Sequence, residues 1–242
     1  MSKVKIEADD KSGSFSAYLA EPAGDGPAPG LIVILEIRGV NANLRRICDE
    51  YAAQGYLAVA PDLLWRLEPD LDYDPDTPAG WEKAMKLNAG FDENLAVEDL
   101  ITTLRWLRRH PRSNGIVGAL GYCLGGKLAY YMGTRSDADA AVGYYGVGIE
   151  KKLDEARDVA KPLMLHLAGD DRFVPPEAQR AIVAGLADVP GAEVHIYPGT
   201  DHAFARKDGV RYAPEAAALA DSRTMAFLDK ALKDRGGLTP RR

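Results

Sequence analysis

The sequence predicts an α/β protein: a mostly parallel central sheet with helices on both faces. Short apolar runs alternate with longer stretches of helical spacing along almost the whole chain, as parallel strands joined by crossover helices require. Several runs are apolar at consecutive positions, the pattern of strands buried on both faces. The chain has 242 residues, of which 46% are hydrophobic and 27% charged, enough to bury a large core without covalent staples. One domain is expected over residues 1–235, followed by a flexible tail at 236–242.

The elements follow in order. Val4–Ala20 alternates polar and apolar residues and suits an antiparallel edge. Leu31–Leu35 (LIVIL) is the first buried strand, and Asn41–Ala53 a helix that ends near Gly55. Tyr56–Ala60 (YLAVA) is a strand closed by Pro61-Asp62. Residues 62–80 break the rhythm and read as a long loop, of the length that can cover an active site. Asp70, Asp72, Asp74 and Asp76 occupy alternate positions in it. A calcium loop starting at Asp70 would need Gly and Glu where Pro75 and Trp81 stand, so a solvated loop is the better reading. Phe91–Arg109 is a long helix, Ile116–Leu120 a strand and Gly125–Thr134 the helix after it. Strands Ala141–Tyr145, Leu163–Ala168 and Glu193–Tyr197 continue the series, with helices at Pro176–Leu186 and Ala213–Leu232.

Charge and cysteine content narrow the function. The net charge is −6, without a basic block, which argues against nucleic acid and against an anionic membrane surface as partners. The amino-terminal residues have no apolar signal core, and the longest apolar run is too short to span a bilayer. Cys48 and Cys123 have neither metal-ligand spacing nor the numbers for a disulfide framework. A cytoplasmic, reducing setting is expected, where a free thiol survives, and a monomer is expected over an obligate oligomer.

The central signal is Gly121-Tyr122-Cys123-Leu124-Gly125-Gly126. It ends a strand and opens a helix, the setting of the G-x-S-x-G nucleophile elbow, here with Cys in place of Ser. Small neighbours are needed where a strained turn brings chain segments close. The free N–H groups of the following helix favour a thiolate and a developing oxyanion. An inert buried Cys in a Gly-rich turn is the plainer alternative.

A base and an acid are available in the order an α/β-hydrolase uses. His110 stands at a helix end before Pro111. His166 lies within an apolar strand and reads as a satisfied core residue, and His195 is committed to one sheet face. His202 alone lies in a loop just past a strand, at the carboxyl edge where open α/β sheets place their ligands. Asp170 and Asp171 follow the strand that ends near Ala168, and on position alone either could be the acid or a helix cap.

These residues resemble the dienelactone hydrolase (carboxymethylenebutenolidase) family over nearly the whole chain. The resemblance rests on Glu36-Ile37-x-Gly39-Val40-Asn41, Ala60-Pro61-Asp62-Leu63, the Gly121–Gly126 elbow, Val142–Gly148, Gly169-x-Asp171-x-Phe173-Val174-Pro175 and His202-x-Phe204-Ala205-Arg206. It implies the α/β-hydrolase fold, Cys123 as nucleophile, His202 as base and Asp171, over Asp170, as acid. It implies that Glu36 holds the resting thiol until substrate displaces it. The plainer reading of Glu36 is a strand-end carboxylate paired with Arg38. Backbone N–H groups of Leu124 and Ile37 would form the oxyanion hole. Arg206 would anchor a substrate carboxylate, unless it is a surface residue paired with Asp208, and Tyr145 joins the substrate-binding residues. No metal or organic cofactor is implied.

The implied substrate is a small anionic lactone, dienelactone, opened to maleylacetate. Leaving-group chemistry agrees. A thiol leaves more readily than an alkyl alkoxide, so a Cys adduct of an ordinary ester reverts, whereas an enol ester departs as a stabilised enolate. The sequence departs from the family pattern at Trp81, where a second anchoring arginine is expected, at Met85 and Asn88, and at Arg38. The expectation is that Arg38 restores the missing charge while Trp81 adds an apolar wall. Another activated ester, lactone or thioester is the alternative substrate. A non-catalytic binding protein or a redox thiol protein are the alternatives of other classes.

Overall fold

A computed structural model describes residues 2–71, 73 and 77–234. The expected tail at 236–242 lies outside the described residues, as do Asp72, Asp74 and Asp76 of the acidic run. The chain groups into two compact units, Met1–Val117 and Gly118–Arg242.

In the first unit, strands β1 (Ser2–Glu7) and β2 (Ser14–Ala20) form the antiparallel pair that the alternating pattern suggests. Strands β3 (Ala28–Ile34) and β4 (Leu57–Pro61) are buried at every position, and they pair in parallel while β2 runs antiparallel to β4. The strand order is β1-β2-β4-β3. Helix α1 (Ala42–Ala53) starts where the Asn41 side chain accepts the Leu44 N–H at 3.0 Å, satisfying one orphan donor of the first turn. It buries Leu44, Cys48, Tyr51 and Ala52, one stripe at helical spacing.

Two helices stand where the sequence suggested one helix after a long loop. Helix α2 (Pro78–Gly90) begins with Thr77 accepting the Gly80 N–H at 3.1 Å and with Pro at its first position. Helix α3 (Glu93–Arg108) begins with Asp92 accepting from Asn94 and Leu95. The loop expected to reach residue 80 therefore ends at Thr77. Within it, Asp70 is committed to Lys3 at 2.7 Å and to Ser16 at 2.6 Å, while its N–H donates to Asp62. Those bonds hold the chain against β2 and suit the loop reading.

Strand β5 (Ser113–Tyr122) enters the second unit, where β6 (Ala140–Tyr144), β7 (Leu163–Ala168) and β8 (Ala192–Tyr197) follow it in parallel, in that order. Helix α4 (Leu124–Arg135) packs on β6 and β7, α5 (Pro176–Leu186) on β8, and α6 (Pro214–Leu228) on β7. A 3₁₀ segment at Ile149–Asp158, where the sequence pattern predicts no element, packs against α4 and α5. The final helix is shorter than expected, because a π-helical turn takes over at Asp229–Lys233.

His166 is the core residue expected. It is fully buried on β7, with Nδ1 2.8 Å from the Tyr197 hydroxyl and Nε2 2.9 Å from Thr224 Oγ1. Burial, reinforced by the charge of Arg223 and by His195, lowers its pKa to about 3, so the ring is neutral at ordinary pH.

Candidate active site

Cys123 sits between the last residue of β5 and the first of α4, with φ 56° and ψ −115°. A non-glycine residue in that region costs roughly 1–3 kcal/mol and persists only where its surroundings enforce it. The enforcement is visible. The Cys123 N–H donates to the Tyr144 carbonyl at 3.0 Å, and the Gly126 N–H returns to the Cys123 carbonyl at 2.9 Å. A Cβ on Gly121 would collide with the Gly125 carbonyl, and one on Gly126 with the Tyr144 carbonyl. Both glycines are needed for close approach. By helix geometry, the N–H of Leu124 at the start of α4 has no acceptor within the helix.

The loops after β7 and β8 carry the candidate acid and base. Asp171 Oδ2 lies 3.0 Å from His202 Nδ1, and both residues are buried. Asp171 Oδ1 accepts the Phe173 N–H at 2.9 Å. Asp170 is exposed and gives its backbone N–H to the Thr200 carbonyl. The Cys123 side chain acts on the charge of the His202 ring, beside the hydrogen bond to Asp171. Burial opposes a charge on its ring, but Cys123 and the Asp171 carboxylate outweigh it and push the pKa up to about 10. The imidazole thus stands under the influence of a thiol and in hydrogen-bond contact with a carboxylate, an arrangement chemically able to hold a proton on nitrogen and to stabilise the imidazolium.

Two aromatic rings and an ion cluster surround this series. Tyr145, almost fully buried with a positive φ of 39°, stands edge-on to His202 with ring centres 5.1 Å apart. Phe173 meets His202 at 4.9 Å and 89° and is 41% exposed. Asp201 accepts the His202 N–H at 2.7 Å and the Arg172 N–H at 3.2 Å, and its other oxygen is held by the Arg172 guanidinium and by Arg211 Nε at 3.2 Å. Burial works against the Asp201 charge, yet these donors hold its pKa near 2. Asp201 therefore ties the loop after β7 to the loop after β8. Phe173 belongs to the motif around Asp171, but neither it nor Asp201, the residue before His202, has a role that the sequence alone predicts.

Arg206 is 7% exposed and lies 3.9 Å through Nε from Asp208, whose side chain is 64% exposed. It is no surface residue. In the first unit, Glu36 is buried just past β3, and Arg38 Nε lies 3.5 Å from its carboxylate. The carbonyl of Ile37 accepts the Tyr73 hydroxyl at 2.8 Å. Trp81 and Met85, one turn apart on α2, are 48% and 41% exposed. Among the described residues, no group of three His, Cys, Asp or Glu side chains could hold a metal ion, and no helix is long and apolar enough to cross a membrane.

Parallel strands, a nucleophile-type elbow and loop-borne acid and base define a hydrolase of the α/β-hydrolase fold. Residues 15–232 match the family model for the dienelactone hydrolase family. A protein of Azospirillum brasilense, provisionally named a carboxymethylenebutenolidase, is 46% identical over 96% of this chain and all of its own length. The carboxymethylenebutenolidase of Pseudomonas putida is 42% identical over 89% of this chain and 91% of that protein. A crystal structure from Klebsiella pneumoniae, provisionally described as a dienelactone hydrolase, superposes with a TM-score of 0.82 at 26% identity, over 95% of this chain and 98% of that one. The chain belongs to the dienelactone hydrolase family and is a carboxylic ester hydrolase.

Proposed function

We propose that the protein hydrolyses dienelactone (4-carboxymethylenebut-2-en-4-olide) to maleylacetate through an acyl-Cys123 intermediate. The observation that supports this most is Cys123 on a strained elbow, acting on the charge of a His202 that is hydrogen-bonded to Asp171. The Cys123 thiolate attacks the lactone carbonyl carbon, and the carbonyl oxygen takes up the negative charge. Backbone N–H groups of Leu124 and Ile37 are assigned to that oxyanion, as the family resemblance implies. Collapse of the adduct breaks the ring C–O bond. The departing enolate takes the proton that His202 carries and passes to the keto form. His202, now neutral, removes a proton from water, which attacks the thioester and releases the carboxylic acid and Cys123.

Asp171 orients His202 and stabilises its charged form. Arg206 anchors the substrate carboxylate, which a guanidinium can bind through two hydrogen bonds. Tyr145 is assigned to the substrate side of the site as well as to the ring of His202. Glu36 is assigned the role of holding the resting thiol, and its ion pair with Arg38 gives the carboxylate a partner when substrate displaces it. Arg38 is assigned the cationic role of the arginine that Trp81 replaces.

The test is hydrolysis of cis- and trans-dienelactone beside a neutral aryl ester. Turnover of at least one lactone with the higher kcat/KM is expected. Good turnover of the aryl ester with none of either lactone rejects the substrate assignment and favours another activated ester, a reading that the half-exposed Trp81 and Met85 would suit. In the same assay, Arg38→Ala is expected to raise KM for the lactone carboxylate by about tenfold, the size of one charge-assisted hydrogen bond. Its effect on the corresponding methyl ester should be small, and equal effects on both would remove Arg38 from the binding site.

A further inference from the structure

The loop that follows His202 is folded back on itself by a succession of turns. The Arg206 N–H donates to the Ala203 carbonyl at 3.0 Å, the Gly209 N–H to the Arg206 carbonyl at 2.9 Å and the Tyr212 N–H to the Gly209 carbonyl at 3.1 Å. The Ala213 N–H closes the loop on the Phe204 carbonyl at 2.9 Å. This folding lays the Arg206 side chain across the backbone of residue 209. A Cβ built on Gly209 would lie 2.6 Å from Arg206 Nε, 3.0 Å from Nη2 and 3.1 Å from Cζ. The first distance is shorter than real Cβ atoms show and the other two are tight, so a side chain at position 209 requires a shift, and the flexible end of Arg206 is the group most easily displaced.

We propose that Gly209 is a specificity-determining residue: the space left by its missing side chain is the seat that holds the Arg206 guanidinium in position for a substrate carboxylate. The inference rests on the reading of Arg206 as the carboxylate anchor. It adds a cause for where that anchor stands. Arg206 is buried, and a guanidinium keeps its charge when buried. Its plane must be fixed for two parallel hydrogen bonds to a carboxylate to form. Gly209 does not have a positive φ, so its backbone would accept alanine. Glycine is required here for the volume it leaves open rather than for its conformational freedom. The residue is a positioning residue that acts through Arg206 and touches neither the thiol nor the reacting carbonyl.

The experiment compares wild type, Gly209→Ala, Arg206→Met and the double variant on dienelactone and on its methyl ester. Gly209→Ala is expected to raise KM for the carboxylate by about tenfold, as when one charge-assisted hydrogen bond is lost. Its KM for the methyl ester and its kcat for both should stay within about twofold, since the reacting groups are untouched. Arg206→Met should show the same selectivity with a larger effect, and Gly209→Ala should add nothing to it, because the displaced group is gone. Melting temperatures are taken for all four. A Gly209→Ala protein that melts early and is restored by Arg206→Met supports the same contact. If Arg206→Met distinguishes the carboxylate from the ester and Gly209→Ala does not, the seat is refuted and the anchor stands. An additive double variant also refutes the seat. If Arg206→Met affects both substrates alike, the anchor reading falls, and the role of Gly209 falls with it.

Discussion

Cys123→Ala is expected to abolish lactone hydrolysis, with kcat falling by on the order of 10⁴-fold or more, the scale of losing a nucleophile. Alanine keeps the elbow but offers the carbonyl nothing to attack. Cys123→Ser keeps a nucleophilic atom with a much higher pKa, and the Ser adduct lacks the balance of leaving groups that favours an enol ester. It too should be slow. An independent readout is alkylation by iodoacetamide followed by mass mapping. Cys123 is partly accessible, whereas Cys48 is fully buried and its thiol is pushed up by burial and by Asp49. One label is expected, at position 123, with activity lost in proportion. Full activity after complete labelling of Cys123, or full activity in Cys123→Ala, would falsify the proposed mechanism.

Asp171→Asn should be nearly as damaging, with a fall in kcat of about 10³- to 10⁴-fold by analogy with other hydrolytic triads. An amide cannot stabilise the imidazolium, and its NH₂ group can face His202 Nδ1 and impose the wrong tautomer. The pKa of His202 provides a second measurement. It lies near 10, raised against burial by Cys123 and by the Asp171 carboxylate. Removing that carboxylate must move it down toward the ordinary histidine range. NMR titration of the ring should find wild-type His202 protonated until about pH 10 and the variant losing its proton at clearly lower pH. An identical titration in both would sink the coupling between the two groups.

Sequence legibility followed a physical division. The buried strands could be read because consecutive apolar residues have few other uses. The residues proposed as a triad could be picked out because each follows one of those strands, where chain order and residue type narrow the choice. Helix α2 could not be read from its apolar pattern. It buries Gly80, Ala84 and Leu87 but exposes Trp81 and Met85, so hydrophobicity marks no single face. Its Thr77-Pro78 start was the available signal. The tie from Asp201 to Arg172 joins residues 29 positions apart through tertiary placement, which no local pattern encodes. Arg206 could be proposed as an anchor from its motif, but its burial against Gly209 could not be read, because a missing side chain carries no chemical signature in a sequence.

The two buried histidines of the second unit give the fold an optimum pH. Unfolded histidine titrates near 6.5. His166 resists its proton down to about pH 3, so acidification below 6.5 favours the unfolded chain, which binds a proton the folded core refuses. His202 retains its proton up to about pH 10, so alkalinisation above 6.5 also favours the unfolded chain, which has already released it. The two slopes have opposite signs and meet where an unfolded histidine is half charged. Denaturation midpoints across a pH series should therefore peak near pH 6.5, with His166→Gln flattening the acid limb and Asp171→Asn the alkaline one. Unaltered limbs in both variants would place the origin of the optimum elsewhere. A histidine that holds up the core and one proposed to serve the reaction thus bound, from opposite sides, the conditions in which the enzyme keeps its shape.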